Sequence, residues 1–102
     1  MIKYLSEKDN LKDMIKDGIH IVDFYADWCA PCKYVGKELE KIEDKYDIIK
    51  VDIDQFEELA DEYKIMSIPG LLFFKDGERK EDLFGFRIVR DIEEKMKKIK
   101  GE

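Results

Sequence analysis

The sequence predicts an α/β fold in which helices cover both faces of a mixed sheet. Three observations predict it. Strand-like and helix-like segments alternate along most of the 102 residues. Two strand segments, "IHIVDFYA" and "IIKVDI", are nearly continuous in apolar and β-prone residues, the pattern of strands covered on both sides. The alternation then ends in two consecutive strands joined at Asp76-Gly77, a strong hairpin signal. Helices alternating with strands, followed by a hairpin, call for a mixed sheet between helical layers.

The elements follow in the order β-α-β-α-β-α-β-β-α. "IKYL" reads as a short first strand. Ser6 then offers an N-cap, Leu11, Met14 and Ile15 form a helical apolar face, and Gly18 supplies a stop. After "IHIVDFYA" a helix is expected from Pro31 to Tyr46, with Val35, Leu39 and Ile42 inward and Lys33, Lys37, Glu40 and Lys41 outward. "IIKVDI" is the second central strand. In "QFEELADEYK", Phe56, Leu59, Ala60 and Tyr63 recur at helical spacing. "GLLFF" and "EDLFGF" are the hairpin strands, and alternation puts Phe84 and Phe86 on one face. The last helix buries Ile88 or Val89 with Ile92, Met96 and Ile99, and its lysine-rich final turn suits the helix dipole.

A chain of this length supports one hydrophobic core, so residues 1–102 are expected to form one domain. The formal net charge of -6, with 16 lysines scattered among the acids, argues against a nucleic-acid binder, which needs a basic face. The longest near-apolar stretch, "IMSIPGLLFF", is too short to span a bilayer and contains Pro69, so no membrane role is expected. No stretch reads as a secretory signal, which makes a cytoplasmic location the expectation. In that reducing compartment a purely structural disulfide between two cysteines is not expected.

Those two cysteines, Cys29 and Cys32, stand in "DWCAPCK" at a strand-to-helix junction. A structural zinc site needs four ligands, and one CxxC pair with one histidine, His20 in a strand, falls short. Iron–sulfur ligation within the chain fails for the same reason. Haem attachment needs a histidine after the second cysteine, where Lys33 stands. Reversible dithiol chemistry remains. Pro31 fits the first turn of a helix, so Cys29 falls at the helix N-terminus, where unpaired N–H groups and the dipole favour a thiolate. Cys32, one turn later on the same face, is expected to be less exposed. Such a pair supplies an outer attacking sulfur and an inner resolving one.

Asp23 lies between Val22 and Phe24 in a strand expected to be buried on both faces. An isolated buried carboxylate is costly, so it should be partly neutral or paired. Lys50 in the neighbouring strand is the candidate partner; a carboxylate reaching the surface past a strand edge is the plainer reading. Perturbed acids cluster at functional sites, which makes Asp23 a candidate functional residue.

"VDFYADWCAPCK" resembles the active-site segment of thioredoxins. The resemblance runs the length of the chain: "KVDIDQ" is similar to the third-strand segment, "IMSIPGLLFF" to the cis-proline loop, and "FKDGE" followed by "FGF" to the closing hairpin. It implies the thioredoxin fold, a central mixed sheet of about five strands flanked by four helices. It implies a protein disulfide reductase needing no cofactor or metal, with Cys29 as nucleophile, Cys32 as resolving thiol, Asp23 as proton acceptor and Lys50 tuning its acidity. Pro69 is expected to be cis and to face the cysteines. Trp28, Ala30, Pro31, Ser67, Ile68, Phe84, Gly85 and Phe86 are expected to form the docking surface. The implied partners are a thioredoxin reductase as electron donor and disulfide-bonded target proteins, the chain itself acting as a monomer.

Several positions depart from the family pattern. Ala30 replaces the usual glycine, Tyr25 a frequent tryptophan, Lys37 a helix-kinking proline and Gly70 a common threonine. Phe84 and Phe86 are larger than the residues usually flanking that glycine, which predicts a more aromatic rim. Two other functions compete with a reductase. An oxidase or isomerase often places histidine between the cysteines, where this chain has Ala-Pro. A binding subunit of a larger complex would use the same exposed patch, and replacing both cysteines by serine separates the two roles.

Overall fold

A computed structural model describes all residues, Met1–Glu102. The strands are β1 (Ile2–Tyr4), β2 (Ile19–Tyr25), β3 (Asp47–Asp52), β4 (Gly70–Lys75) and β5 (Glu78–Phe84). The helices are α1 (Leu11–Ile15), α2 (Ala30–Glu40), α3 (Glu57–Glu62) and α4 (Val89–Lys100). They build one five-stranded sheet in the order β1-β3-β2-β4-β5. β1, β3 and β2 run parallel, while β4 is antiparallel to β2 and β5 is antiparallel to β4, so the sheet is mixed as the sequence predicts.

The twofold alternation of strand side chains sorts the apolar runs into two cores. Val22, Phe24, Ile49, Val51, Leu72 and Phe74 face Leu11 and Ile15 of α1 and Ala60 of α3. Ile21, Ile48, Leu71 and Phe73 face Val35 and Leu39 of α2, Ile42, and Ile92, Met96 and Ile99 of α4. Each fully buried Leu, Ile or Phe contributes roughly 1.5–3 kcal/mol relative to exposure, which is why both sides of β2 and β4 are apolar. Asp23 is the exception: it is fully buried, with 0% exposure. It pairs Leu71 on one side and Lys50 on the other.

Some boundaries differ from those the sequence predicts. Leu5 is held to β3 by its N–H to the Lys50 carbonyl, and Ser6 closes a turn by donating from N and Oγ to Asp9 Oδ2. Asn10 therefore caps α1, its Oδ1 accepting from the Asp13 N–H at 3.2 Å. α2 ends at Glu40 rather than Tyr46, because Lys41 and Ile42 donate to carbonyls three residues back and tighten the chain toward β3. Ile42 stays buried. α3 is shorter than its pattern, with Phe56 as N-cap and Tyr63 as C-cap. Val89, not the N-cap Ile88, packs on the core at the start of α4.

The pair Phe84 and Phe86 does not share a face. β5 stops at Phe84, and Gly85 takes φ +84°, a left-handed conformation that glycine adopts freely. That turn breaks the alternation. Phe84 packs against the α1/α3 core, while Phe86 is half exposed and meets Tyr34 of α2 edge to face, with ring centroids 6.4 Å apart.

Candidate active site

The site forms where β2 gives way to α2. Cys29 is the N-cap of α2, in extended conformation (φ -93°, ψ 107°), and its Sγ accepts the N–H of Cys32 at 3.2 Å. Ala30 and Pro31 make the first turn, where proline's missing N–H has no helical partner to lose. Cys29 and Cys32 are joined in a disulfide, their Cα atoms 5.3 Å apart. Both are buried, and Cys32 (2% exposed) is the more enclosed of the two (Cys29 6%).

A second loop closes against this pair. The Ile68–Pro69 peptide is cis, and Ile68 packs on the cluster of Ala26, Cys29 and Cys32. Neither the N–H nor the C=O of Ile68 is hydrogen-bonded within the chain. Gly85 ties the loop to the end of β5 by donating its N–H to the Pro69 carbonyl at 2.9 Å. Phe84 lies beneath: a Cβ at Gly70 would come within 3.1 Å of its ring, so the glycine accommodates the phenylalanine. Ser67, Ala30 and Pro31 are exposed around the disulfide.

Trp28 is 70% exposed, yet it is held in place. Its Nε1 donates to Asp54 Oδ2 at 2.9 Å, and the Asp54 N–H donates to Asp52 Oδ1 at 2.9 Å. Asp54 was not among the residues singled out by the sequence. The "KVDIDQ" segment contains it, but nothing local in that segment says that its carboxylate reaches Trp28. Tyr34, the aromatic partner of Phe86, was likewise missed because its partner is 52 residues away in the chain.

Asp23 is the buried acid of the site. Burial pushes its carboxyl up to about 6, and Lys50 offsets only part of that rise. Lys50 Nζ stands 3.7 Å from Asp23 Oδ2, an ion pair without a hydrogen bond. Neither carboxylate oxygen has a hydrogen-bond partner in the chain. A cavity of about 190 Å³ opens beside Cys32 and Lys50, with Tyr4 and Tyr25 on its walls. No three His, Cys, Asp or Glu side chains are grouped so as to hold a metal ion, and no helix is long and apolar enough to cross a membrane.

A redox disulfide at a helix N-terminus, faced by a cis-proline loop, defines the class: a thiol–disulfide oxidoreductase. Comparison with known proteins gives the family. The thioredoxin family model matches residues 2–98. The chain is 39% identical over 93 residues to a thioredoxin of Staphylococcus saprophyticus, covering 87% of this chain and 89% of that protein. It is 38% identical over 100 residues to a thioredoxin of Mycoplasmoides gallisepticum, covering 94% and 100%. The crystal structure of reduced Schistosoma mansoni thioredoxin superposes with a TM-score of 0.85 at 32% identity, covering 95% of this chain and 96% of that one. The chain belongs to the thioredoxin family, a family of protein disulfide reductases whose redox group is the cysteine pair and which need no cofactor.

Proposed function

We propose that this chain is a general protein disulfide reductase of the cytoplasm, reduced by a thioredoxin reductase and acting as a monomer on disulfide-bonded target proteins. The observation that carries this reading is the Cys29–Cys32 disulfide at the start of α2 with the cis Ile68–Pro69 loop packed against it. In the reduced protein, the Cys29 thiolate attacks one sulfur of a target disulfide. A Cys29–target mixed disulfide forms, and the other target sulfur leaves as a thiolate and takes up a proton. Cys32 gives its proton to the Asp23 carboxylate and attacks Cys29 Sγ, which forms the Cys29–Cys32 bond and releases the second target thiolate.

The parts support these roles. The Cys32 N–H that bonds Cys29 Sγ, together with the helix N-terminus, favours negative charge on that sulfur. An Asp23 carboxyl near 6 is ionised at neutral pH yet basic enough to accept a thiol proton, with Lys50 tuning it. The unpaired Ile68 backbone offers a donor and an acceptor to an extended target segment, a local form of strand addition. Trp28, Ala30, Pro31, Ser67, Gly85 and Phe86 surround that segment, and Phe84 supports it from below.

The test is the equilibrium potential of the Cys29–Cys32 pair in dithiol or glutathione buffers, followed by Trp28 fluorescence. A potential near about -270 mV, the general thioredoxin value, supports the reductase; one at or above about -180 mV belongs to an oxidant or isomerase and overturns it. Cys32→Ser is expected to accumulate the Cys29–target mixed disulfide, visible by mass spectrometry. A clean return of free thiols from that variant removes Cys32 from the resolving role.

A further inference from the structure

Lys50 stands at the centre of a row that crosses three strands. The parallel register pairs Tyr4 of β1 with Lys50 of β3, and Lys50 with Asp23 of β2. Paired residues on adjacent strands project to the same face, so the three side chains stand side by side on the face that α2 covers. Tyr25, two residues after Asp23, falls on that face as well. The Lys50 ammonium lies 4.7 Å from the centroid of the Tyr25 ring and 5.4 Å from that of Tyr4. The two rings meet edge to face, centroids 6.2 Å apart and planes at 82°. Gly36 of α2 closes the enclosure: a Cβ there would come within 3.2 Å of Nζ.

The enclosure matters because Lys50 borders the open cavity beside Cys32. A lysine there has a flexible four-carbon stem and a strong preference to carry its charge into water. Asp23 attracts the ammonium but leaves its direction open, since Nζ stays 3.7 Å from Oδ2, beyond hydrogen-bond reach. Two aromatic faces confine it from the other side, because a ring quadrupole attracts a cation within about 6 Å. The influence of Lys50 on Asp23 falls with the distance between them, so whatever fixes that distance acts on Asp23.

We propose that Tyr4 and Tyr25 are positioning residues: their rings clamp the Lys50 ammonium beside the Asp23 carboxylate and so set how readily Asp23 takes up a proton. The catalytic consequence rests on the reading of Asp23 as proton acceptor; the clamp itself does not. The charged and titratable groups around it are Asp23 and Tyr25 of β2, Lys50 and Asp52 of β3, Tyr4 of β1, Asp27 of the following loop, and Cys32 and Lys33 of α2. Tyr25 stays neutral through the working range, because burial, and after it Asp52 and Asp27, push its hydroxyl up to about 12.

The experiment follows the Asp23 carboxyl carbon by NMR against pH in the oxidised full chain, so that no thiol titrates with it. Tyr4→Leu and Tyr25→Leu remove a ring face; Tyr25→Phe keeps the face and drops the hydroxyl. Each leucine variant is expected to raise the Asp23 midpoint by about half a unit, a fraction of the 1–3 units that a close opposite charge is worth. Tyr25→Phe is expected to titrate with the parent. In a Lys50→Met background the leucine substitutions should no longer move the midpoint. Leucine variants that titrate with the parent overturn the clamp, and so do equal shifts with and without Lys50. Tyr4 is 61% exposed, so Tyr4→Leu carries the test even if Tyr25→Leu does not fold. The midpoint needs no substrate, so this outcome is separate from the role of Asp23, which fails instead if Asp23→Asn leaves the pH profile of Cys32 attack unchanged.

Discussion

Replacing Asp23 by Asn should make the oxidised protein more stable at neutral pH and remove the loss of stability that Asp23 causes between pH 4 and pH 7. Asp23 is fully buried, and its carboxyl is raised from 3.8 to about 6. A raised acid binds its proton more tightly in the folded state than in the unfolded one. The stability it confers is therefore fully present below the unfolded value and is lost as pH rises through the folded value. A shift of about two units at 1.36 kcal/mol each amounts to roughly 3 kcal/mol, of which about 2 is lost between pH 4 and pH 7. Asn cannot ionise, so that loss disappears. Other carboxylates titrate in the same range, and Asp9, Glu38 and Glu81, each lowered by hydrogen bonds, act in the opposite sense as pH falls. Taking the difference between parent and variant cancels them. Urea unfolding of both oxidised proteins at four pH values gives that difference. It should widen in favour of the variant by about 2 kcal/mol from pH 4 to pH 7. A difference that stays flat with pH refutes the buried, raised carboxyl.

Two further outcomes follow from the aromatic residues at the end of β5. Gly70→Thr is expected to destabilise the protein by about 1–3 kcal/mol through overpacking against the Phe84 ring, and Phe84→Val should recover part of that loss in the double variant. Unfolding free energies that simply add across the four proteins would show that the two positions are independent. Phe86→Ala removes a half-exposed ring and should leave stability within about 0.5 kcal/mol. Its reduction rate should fall by about tenfold, the equivalent of 1.4 kcal/mol, on targets with a large apolar side chain beside the disulfide. Unchanged rates on every target would remove the aromatic rim from target selection.

The sequence alone determined the element order, the double coverage of β2 and β3, the placement of Cys29 at a helix start and the anomaly of Asp23. Each of these is written within a few residues: a period, a cap, a proline in a first turn, an acid in an apolar run. Helix ends were less legible. Ser6 and Asn10 are both good caps; the bond from Leu5 to β3 and the Ser6–Asp9 turn leave the capping to Asn10. Phe84 and Phe86 looked equivalent because alternation assumes a continuing strand, and Gly85 at φ +84° ends it. The sequence already paired Lys50 with Asp23; the tertiary structure decided that β3 lies between β1 and β2, and with that order it added Tyr4 to the row. It also carried Asp54 to Trp28 and Tyr34 to Phe86. Sequence patterns report which face a side chain takes, because that follows from backbone geometry over a few residues. Which side chain it meets there depends on strand order and register, and those are fixed by burying both faces of the whole sheet at once.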